Sequence, residues 1–125
     1  MHALRRIHAA LVPGGVVVDS QPISAEPPVI AADGRLGQLD MREWRMTIDA
    51  VDEQTARALE DGLFAIESEH MIDVADEFDS GAEFAEIVGA WRGTRIPPAV
   101  VERADSARPP VRVAQAVRLR LLRPA

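Results

Sequence analysis

Apolar residues at Leu4, Ile7 and Leu11, with His8, stand at i, i+3, i+4 and i+7 and predict one buried helical face; Arg5 and Arg6 lie off it. Pro13 cannot continue that helix, and Gly14-Gly15 supply the freedom a tight reversal needs. Val16-Val17-Val18 is then a continuous β-branched run, which predicts a strand covered on both faces and stopped by Asp19-Ser20-Gln21-Pro22. Residues 21–34 carry three prolines and end on Asp33-Gly34, so they read as a loop. That turn closes a hairpin if Val29-Ile30-Ala31 pairs back onto a strand spanning Arg35 to Met41, whose alternation is imperfect.

Farther along, Trp44, Ile48, Val51, Ala58 and Leu59 recur at helical spacing and Gly62 is a natural stop. A helix is predicted over 50–61, with Arg42–Ile48 either its extension or a separate turn. From Leu63 to Val74 the period changes to two: Phe64, Ile66, Ser68, His70, Ile72 and Val74 face inward, and the residues between them face solvent. Asp79 or Ser80 caps a helix from Gly81 to about Trp91, with Phe84, Ile87, Val88 and Trp91 on its apolar stripe and Gly93 after it. Pro97 and Pro98 suit the first turn of a short helix reaching about Ala104, and Ala107–Pro110 is a linker. The last strand covers Val111 to Leu122, where Val111, Val113, Val117, Leu119 and Leu121 alternate with Arg112, Ala114, Ala116, Arg118 and Arg120. The expected fold is α/β: one domain over residues 1–125, with a mixed parallel and antiparallel sheet of about four strands and flanking helices.

The run from Leu4 to Asp19 resembles the "helix, Leu-x-Pro-Gly-Gly, strand" segment of class I S-adenosylmethionine-dependent methyltransferases. There it forms the fifth strand and the helix before it. The resemblance implies a Rossmann-like sheet whose two final strands form an antiparallel pair at one side of an otherwise parallel arrangement; Leu63–Val74 and Val111–Leu122 are similar to that pair. It further implies that the cofactor residues belong to the first four strands, which this chain does not contain. No cofactor residue therefore carries over. The expectation is a methyltransferase-like protein that binds no S-adenosylmethionine alone and serves as the substrate-side half of a split enzyme; the alternative is a non-catalytic dimerising or protein-interaction module. Without its first strands, the family sheet would leave Val16–Val18 at an open edge, which implies a homodimer or a complementing polypeptide as partner.

Composition narrows the chemistry. With 125 residues, 47% hydrophobic and 27% charged, the chain can bury a core, and the absence of cysteine excludes disulfides and thiolate metal sites. All 14 basic residues are arginine, and the net charge of −6 is concentrated in residues 40–86, an acidic middle that argues against nucleic acid. No stretch is long enough to span a bilayer, and Pro13-Gly14-Gly15 breaks the only apolar run that imitates a secretion signal, which points to the cytoplasm. Asp19, Ser20 and Gln21 sit at the carboxyl end of a strand, where α/β sheets bind ligands, and are the candidate substrate contacts; the plainer reading is that Asp19 caps the loop around Ser20-Gln21. Arg92 and Arg95, beside Trp91, either grip an anion or a partner carboxylate, or complement a helix dipole. His2, His8 and His70 are too scattered for a metal site, His8 and His70 reading as core histidines, and Asp76-Glu77-x-Asp79 lacks the glycine and distal glutamate of a calcium loop. No nucleophile motif occurs and no catalytic residue is assigned.

Overall fold

The computed structural model describes residues 2–125, with the side chain of His2 also outside the description. The described elements run α1 (His2–Ala10), β1 (Val17–Pro22), β2 (Pro28–Ala31), β3 (Gly34–Gln38), α2 (Arg42–Glu60), β4 (Phe64–Phe78), α3 (Gly81–Gly89), α4 (Pro98–Ser106) and β5 (Val111–Pro124). Everything is built on β5. Its one edge pairs with β4 along the full length of both, while its other edge carries β1 and β2 end to end, and β3 extends the sheet beyond β2.

The α/β class is as expected, but the sheet has five strands and every pairing in it is antiparallel rather than mixed. The reason is the reach of β5: at 14 residues it is long enough to be the neighbour of three other strands, all of which run against it. β1 and β4, on its two sides, are consequently parallel to each other without being paired. The proline-containing segment expected as a loop is mostly a continuation of the β1 edge. Ile23 N donates to Ala116 O, Ser24 Oγ accepts from Ala116 N, and β2 resumes pairing at Val29 and Ile30. Asp33-Gly34 does close the β2–β3 hairpin. α2 is one continuous helix of 19 residues, so Arg42–Ile48 is its extension.

Residue parity along β5 divides the core in two. Val111 and Val113 are buried in a cluster with Phe84 and Val88 of α3 and Val100 and Ala104 of α4, and Gln115, of the same parity, is buried as well. Farther on the opposite parity goes under: Leu122 joins Phe64 and Ala58 beneath Leu4, Leu11 and Leu59, and Arg118 is buried against α2. Helices therefore cover one face at one end of the ribbon and the other face at the other end. The uncovered remainder carries Val18, 65% exposed, opposite Leu121, and Ile72, 43% exposed, opposite Val117. Val16–Val18 is thus not covered on both faces, because no helix lies over that quarter of the sheet.

The same division overturns the inward face expected for β4. A bulge between Ile66 and Ser68, near its start, exchanges the two faces, and only Phe64 and Phe78, at its ends, are buried. His70 is exposed rather than a core histidine. His8 is half-buried, its ring edge-on to Phe64 at 5.4 Å.

Leu4 and His8 of α1 and Leu11 just after it form the docked face, and Ile7 lies on the rim, 40% exposed. Leu4→Asp is expected to lower the urea midpoint by the equivalent of about 2–3 kcal/mol, since it sets a charge against an apolar cluster. Ile7→Asp and Arg6→Asp should each remain within about 1 kcal/mol. Equal midpoints for Leu4→Asp and Arg6→Asp would mean α1 is not docked.

Candidate functional site

The residues expected at the carboxyl end of β1 separate onto two faces. Asp19 stands opposite Arg120 and Gln21 opposite Arg118, on the face that α2 covers; Ser20, opposite Leu119, is exposed on the other. Gln21 Nε2 donates to Asp19 Oδ1 at 2.8 Å. Beside them Arg118, 8% exposed, gives Nη1 and Nη2 to the two oxygens of Asp52 at 3.1 and 2.6 Å, and Arg120 Nε donates to Glu69 at 2.7 Å. The hydrogen bond from Arg118 holds the Asp52 carboxyl below its ordinary range, and Asp52 in turn raises Arg118, with Asp19 and Glu69 adding to the field. Asp19 and Gln21 thus belong to a half-buried charge network that braces α2 on the sheet. Such a network holds backbone in place and offers little room for a ligand.

A cavity of about 300 Å³ opens instead at Pro22, the last residue of β1, bounded by Met41, Trp44, Trp91, Arg92 and Gln115. Each wall is fixed by something nearby. Met41 is buried at the N-terminus of α2 with its N–H on Ala25 O at 2.8 Å. Trp44, in the first turn, turns its indole Nε1–H onto Pro22 O at 3.1 Å, and its backbone N–H meets Gly93 O at 3.3 Å. Gly93 adopts φ +68, and a Cβ there would come within 2.8 Å of Trp44 N, so the loop can pass this close to the helix only as glycine. Trp91 follows α3, bonded through N–H to Val88 O at 3.0 Å, with its ring 6.4 Å from Phe78. Gln115 comes from the middle of β5: its Nε2 faces Asp76 Oδ2 at 3.5 Å, and its Oε1 is buried with no partner among the described residues.

Arg92 and Arg95 part company. Arg92 borders the cavity, whereas Arg95 is tied by backbone bonds in both directions to Asp40, at 2.9 and 2.8 Å, and borders a separate depression of about 390 Å³ with Arg42, Glu43 and Met46. In that depression Arg42 donates to Asp40 at 3.0 and 2.8 Å and holds its carboxyl down at about 2. The carboxylates of Asp76 and Glu77 meet Gln115 and Arg112, and the backbone N–H of Asp79 donates to the Glu83 carboxylate at the α3 cap. No group of three or more potential metal ligands exists among the described residues, and no described helix is long and apolar enough to cross a membrane.

Sequence reasoning assigned both tryptophans to apolar helix stripes and passed over Gln115. Two signals pointed to them. Trp44 and Trp91 are the only tryptophans in the chain, and Gln115 is the one polar residue in the alternating series Val111, Val113, Gln115, Val117. No family model, curated protein or solved structure matches the chain.

Proposed function

We propose that the chain is the C-terminal, substrate-side half of a class I methyltransferase-like fold, completed by a polypeptide that carries the cofactor. One observation carries the reading: the helix, Pro-Gly-Gly and strand at the N-terminus lie directly beside an antiparallel pair made by the last two long strands. In the family this resembles, such a pair stands at one side of a parallel sheet. On its other side β1 has no partner strand among the described residues, and the bare apolar quarter around Val18 adjoins it. A complementing half would extend the sheet there and cover that face. The cavity at Pro22, at the carboxyl end of β1, then becomes the place of the methyl acceptor.

The residues present do not suit S-adenosylmethionine. A cradle for it needs glycines between a strand and the following helix, and the only glycine there, Gly81, is filled by α4: a Cβ on it would lie 2.0 Å from Ala104 O. Positive-φ glycines occur at helix ends and in the hairpin and a loop, at Gly14, Gly62, Gly34, Gly37 and Gly93. No chemical step is therefore assigned to this chain alone. A non-catalytic dimerising module is the second reading, favoured by the 15-residue β4, whose outer edge is unpaired among the described residues and which exposes Ile66, Met71 and Ile72.

Calorimetric titration of S-adenosylmethionine into the isolated chain is expected to give no binding heat, and a one-to-one complex of micromolar affinity would overturn the assignment of the cofactor to another polypeptide. Co-expression with a neighbouring gene for the glycine-rich half should yield a complex that does bind it. A stable homodimer that stays a homodimer in that co-expression would favour the second reading.

A further inference from the structure

At 15 residues β4 is far longer than the ordinary strand of about five or six, and it forms an edge of the sheet. Its outer side is unpaired among the described residues, and every residue from Glu69 to Glu77 is exposed. From Ser68 to Phe78 its pairing with β5 is continuous, so the outer side there presents a regular row of N–H and C=O groups from alternate residues. Natural edges of this kind are shortened, bulged, interrupted by proline or paired. β4 has no proline, and its bulge between Ile66 and Ser68 lies before this stretch.

The side chains of a strand serve both of its neighbours, so β5 shows what suits β4. It sets Arg112 opposite Glu77 and Arg120 opposite Glu69, with ion pairs of 2.6 and 2.7 Å. On the alternate residues it sets Val117 opposite Ile72 and Leu119 opposite His70. The complement of β4 is therefore a strand with one cationic and one apolar face. Two acids are left over. Asp73 stands opposite Ala116 and Asp76 opposite Val113, and no ion pair engages either among the described residues.

A second copy of this chain does not supply that complement. β4 itself holds five carboxylates and no arginine, so pairing two such edges adds acids and, His70 apart, no cation. The other free edges among the described residues, β1 and β3, carry a single arginine between them, Arg35, and β5 has both sides occupied.

We propose that the outer edge of β4 accepts, as an added antiparallel strand, an extended segment of another protein that alternates basic and apolar residues. The basic residues face Glu69, Asp73 and Glu77, and the apolar ones face His70, Ile72 and Val74. Main-chain bonds attach the segment, and the alternating side chains fix its register. The inference is independent of the methyltransferase reading, since a cofactor-bearing half would join at β1, on the far side of β5.

The probe is the N-acetylated, C-amidated nonapeptide Arg-Lys-Thr-Val-Arg-Ile-Thr-Val-Arg, which, laid antiparallel, sets arginines opposite Glu77, Asp73 and Glu69 and its lysine opposite Asp76. One control replaces its four basic residues by glutamate. A second replaces the isoleucine and the threonine after it by proline, which removes two successive N–H groups, one of which must face β4. Binding to the full chain at low ionic strength is followed by hydrogen exchange in nitrogen-15 correlation spectra, where the indole N–H signals of Trp44 and Trp91 report that the protein is folded. The alternate β4 amides that are not bonded to β5 should exchange freely in the isolated chain and become protected by the basic peptide. That peptide should bind about tenfold or more tighter than the glutamate version, since each exposed ion pair is worth a factor of about two to five. The proline version should protect nothing. Asp73→Asn removes no ion pair within the chain among the described residues, so it should leave the urea midpoint unchanged and weaken the basic peptide about threefold. The proposal falls if the glutamate peptide binds as tightly, if the proline peptide protects the same amides, or if Asp73→Asn leaves the affinity of the basic peptide unchanged. It falls equally if those amides are already protected in the isolated chain by a dimer, which would make a second copy the occupant.

Discussion

Asp52→Ala is expected to destabilise the protein by about 3 kcal/mol or more, because it leaves the buried Arg118 guanidinium without the carboxylate that holds it. Breaking a buried pair from one side typically costs about 3–5 kcal/mol. The lower end applies here because Asp19 and Glu69 still contribute to the field at Arg118. Arg118 Nε already has no partner among the described residues, so little slack remains for the guanidinium to find new acceptors. Removing both charges is a different experiment: Asp52→Ala with Arg118→Met should recover most of the loss, since an apolar side chain in that position needs no counter-ion. The pair also sets the acid limb of stability. Asp52 is held below its unfolded value, so its contribution is fully present above about pH 3.9, the ordinary aspartate value, and is lost as pH falls through the lower folded value. Urea midpoints followed downward from pH 5 should fall less steeply for Asp52→Ala than for the wild type. Parallel curves would mean the ion pair does not form.

The elements most legible in the sequence are those whose pattern is local. Helical spacing, an Asp-Gly turn, prolines at a first turn and a serine cap each report on a few neighbouring residues, and α2, the β2–β3 hairpin, α4 and the start of α3 follow them. At that last site Ser80 Oγ accepts from Glu83 N, and Glu83 reaches back to Asp79 N. What failed depended on distant partners. The alternation in β4 implies one buried face only if something packs on it along its whole length, and the bulge at Ile66/Ser68 together with the split coverage by helices leaves both faces exposed in the middle. In the same way Val16-Val17-Val18 states that a strand is apolar, and says nothing about whether a helix lies over it. The antiparallel pairing of the last two strands was legible only through the resemblance, and neither periodicity nor composition records that β5 also lies between β1 and β4.

The candidate site shows the same boundary. Position at the carboxyl end of β1 was readable, and the cavity does open there, at Pro22. Which side chains reach it was not readable, because that depends on parity: Asp19 and Gln21 turn to the arginines of β5, and the walls come from the start of α2, the segment after α3, and the center of β5, residues 19 to 93 positions from Pro22 in sequence. Of the two arginines singled out, only Arg92 borders the cavity. Arg95 is held by its backbone to Asp40, a bridge that only the folded chain reveals.

Gly81→Ala is expected to abolish the cooperative fold, or at least to cost about 3–5 kcal/mol. The added Cβ would lie 2.0 Å from Ala104 O, 2.4 Å from Ala104 C and 2.9 Å from Asp105 N, all of them backbone atoms of α4 that no rotamer change can move. Relief requires α3 and α4 to separate, which opens the cluster that buries Phe84, Val88, Val100 and Ala104. The substitution does not act through helix propensity, since alanine is the better helix former by about 1 kcal/mol. Gly89→Ala supplies the control at the other end of the same helix: nothing lies within 4 Å of its added methyl and its φ is not positive, so it should be neutral or slightly stabilising. Because Trp91 follows α3 directly, the two variants also separate packing from the cavity. Gly89→Ala should retain both indole signals of the folded protein, and Gly81→Ala should move both toward unfolded positions. A Gly81→Ala protein with a wild-type urea midpoint would mean that α3 and α4 do not pack this closely, and the Trp91 wall of the cavity would lose its support with them.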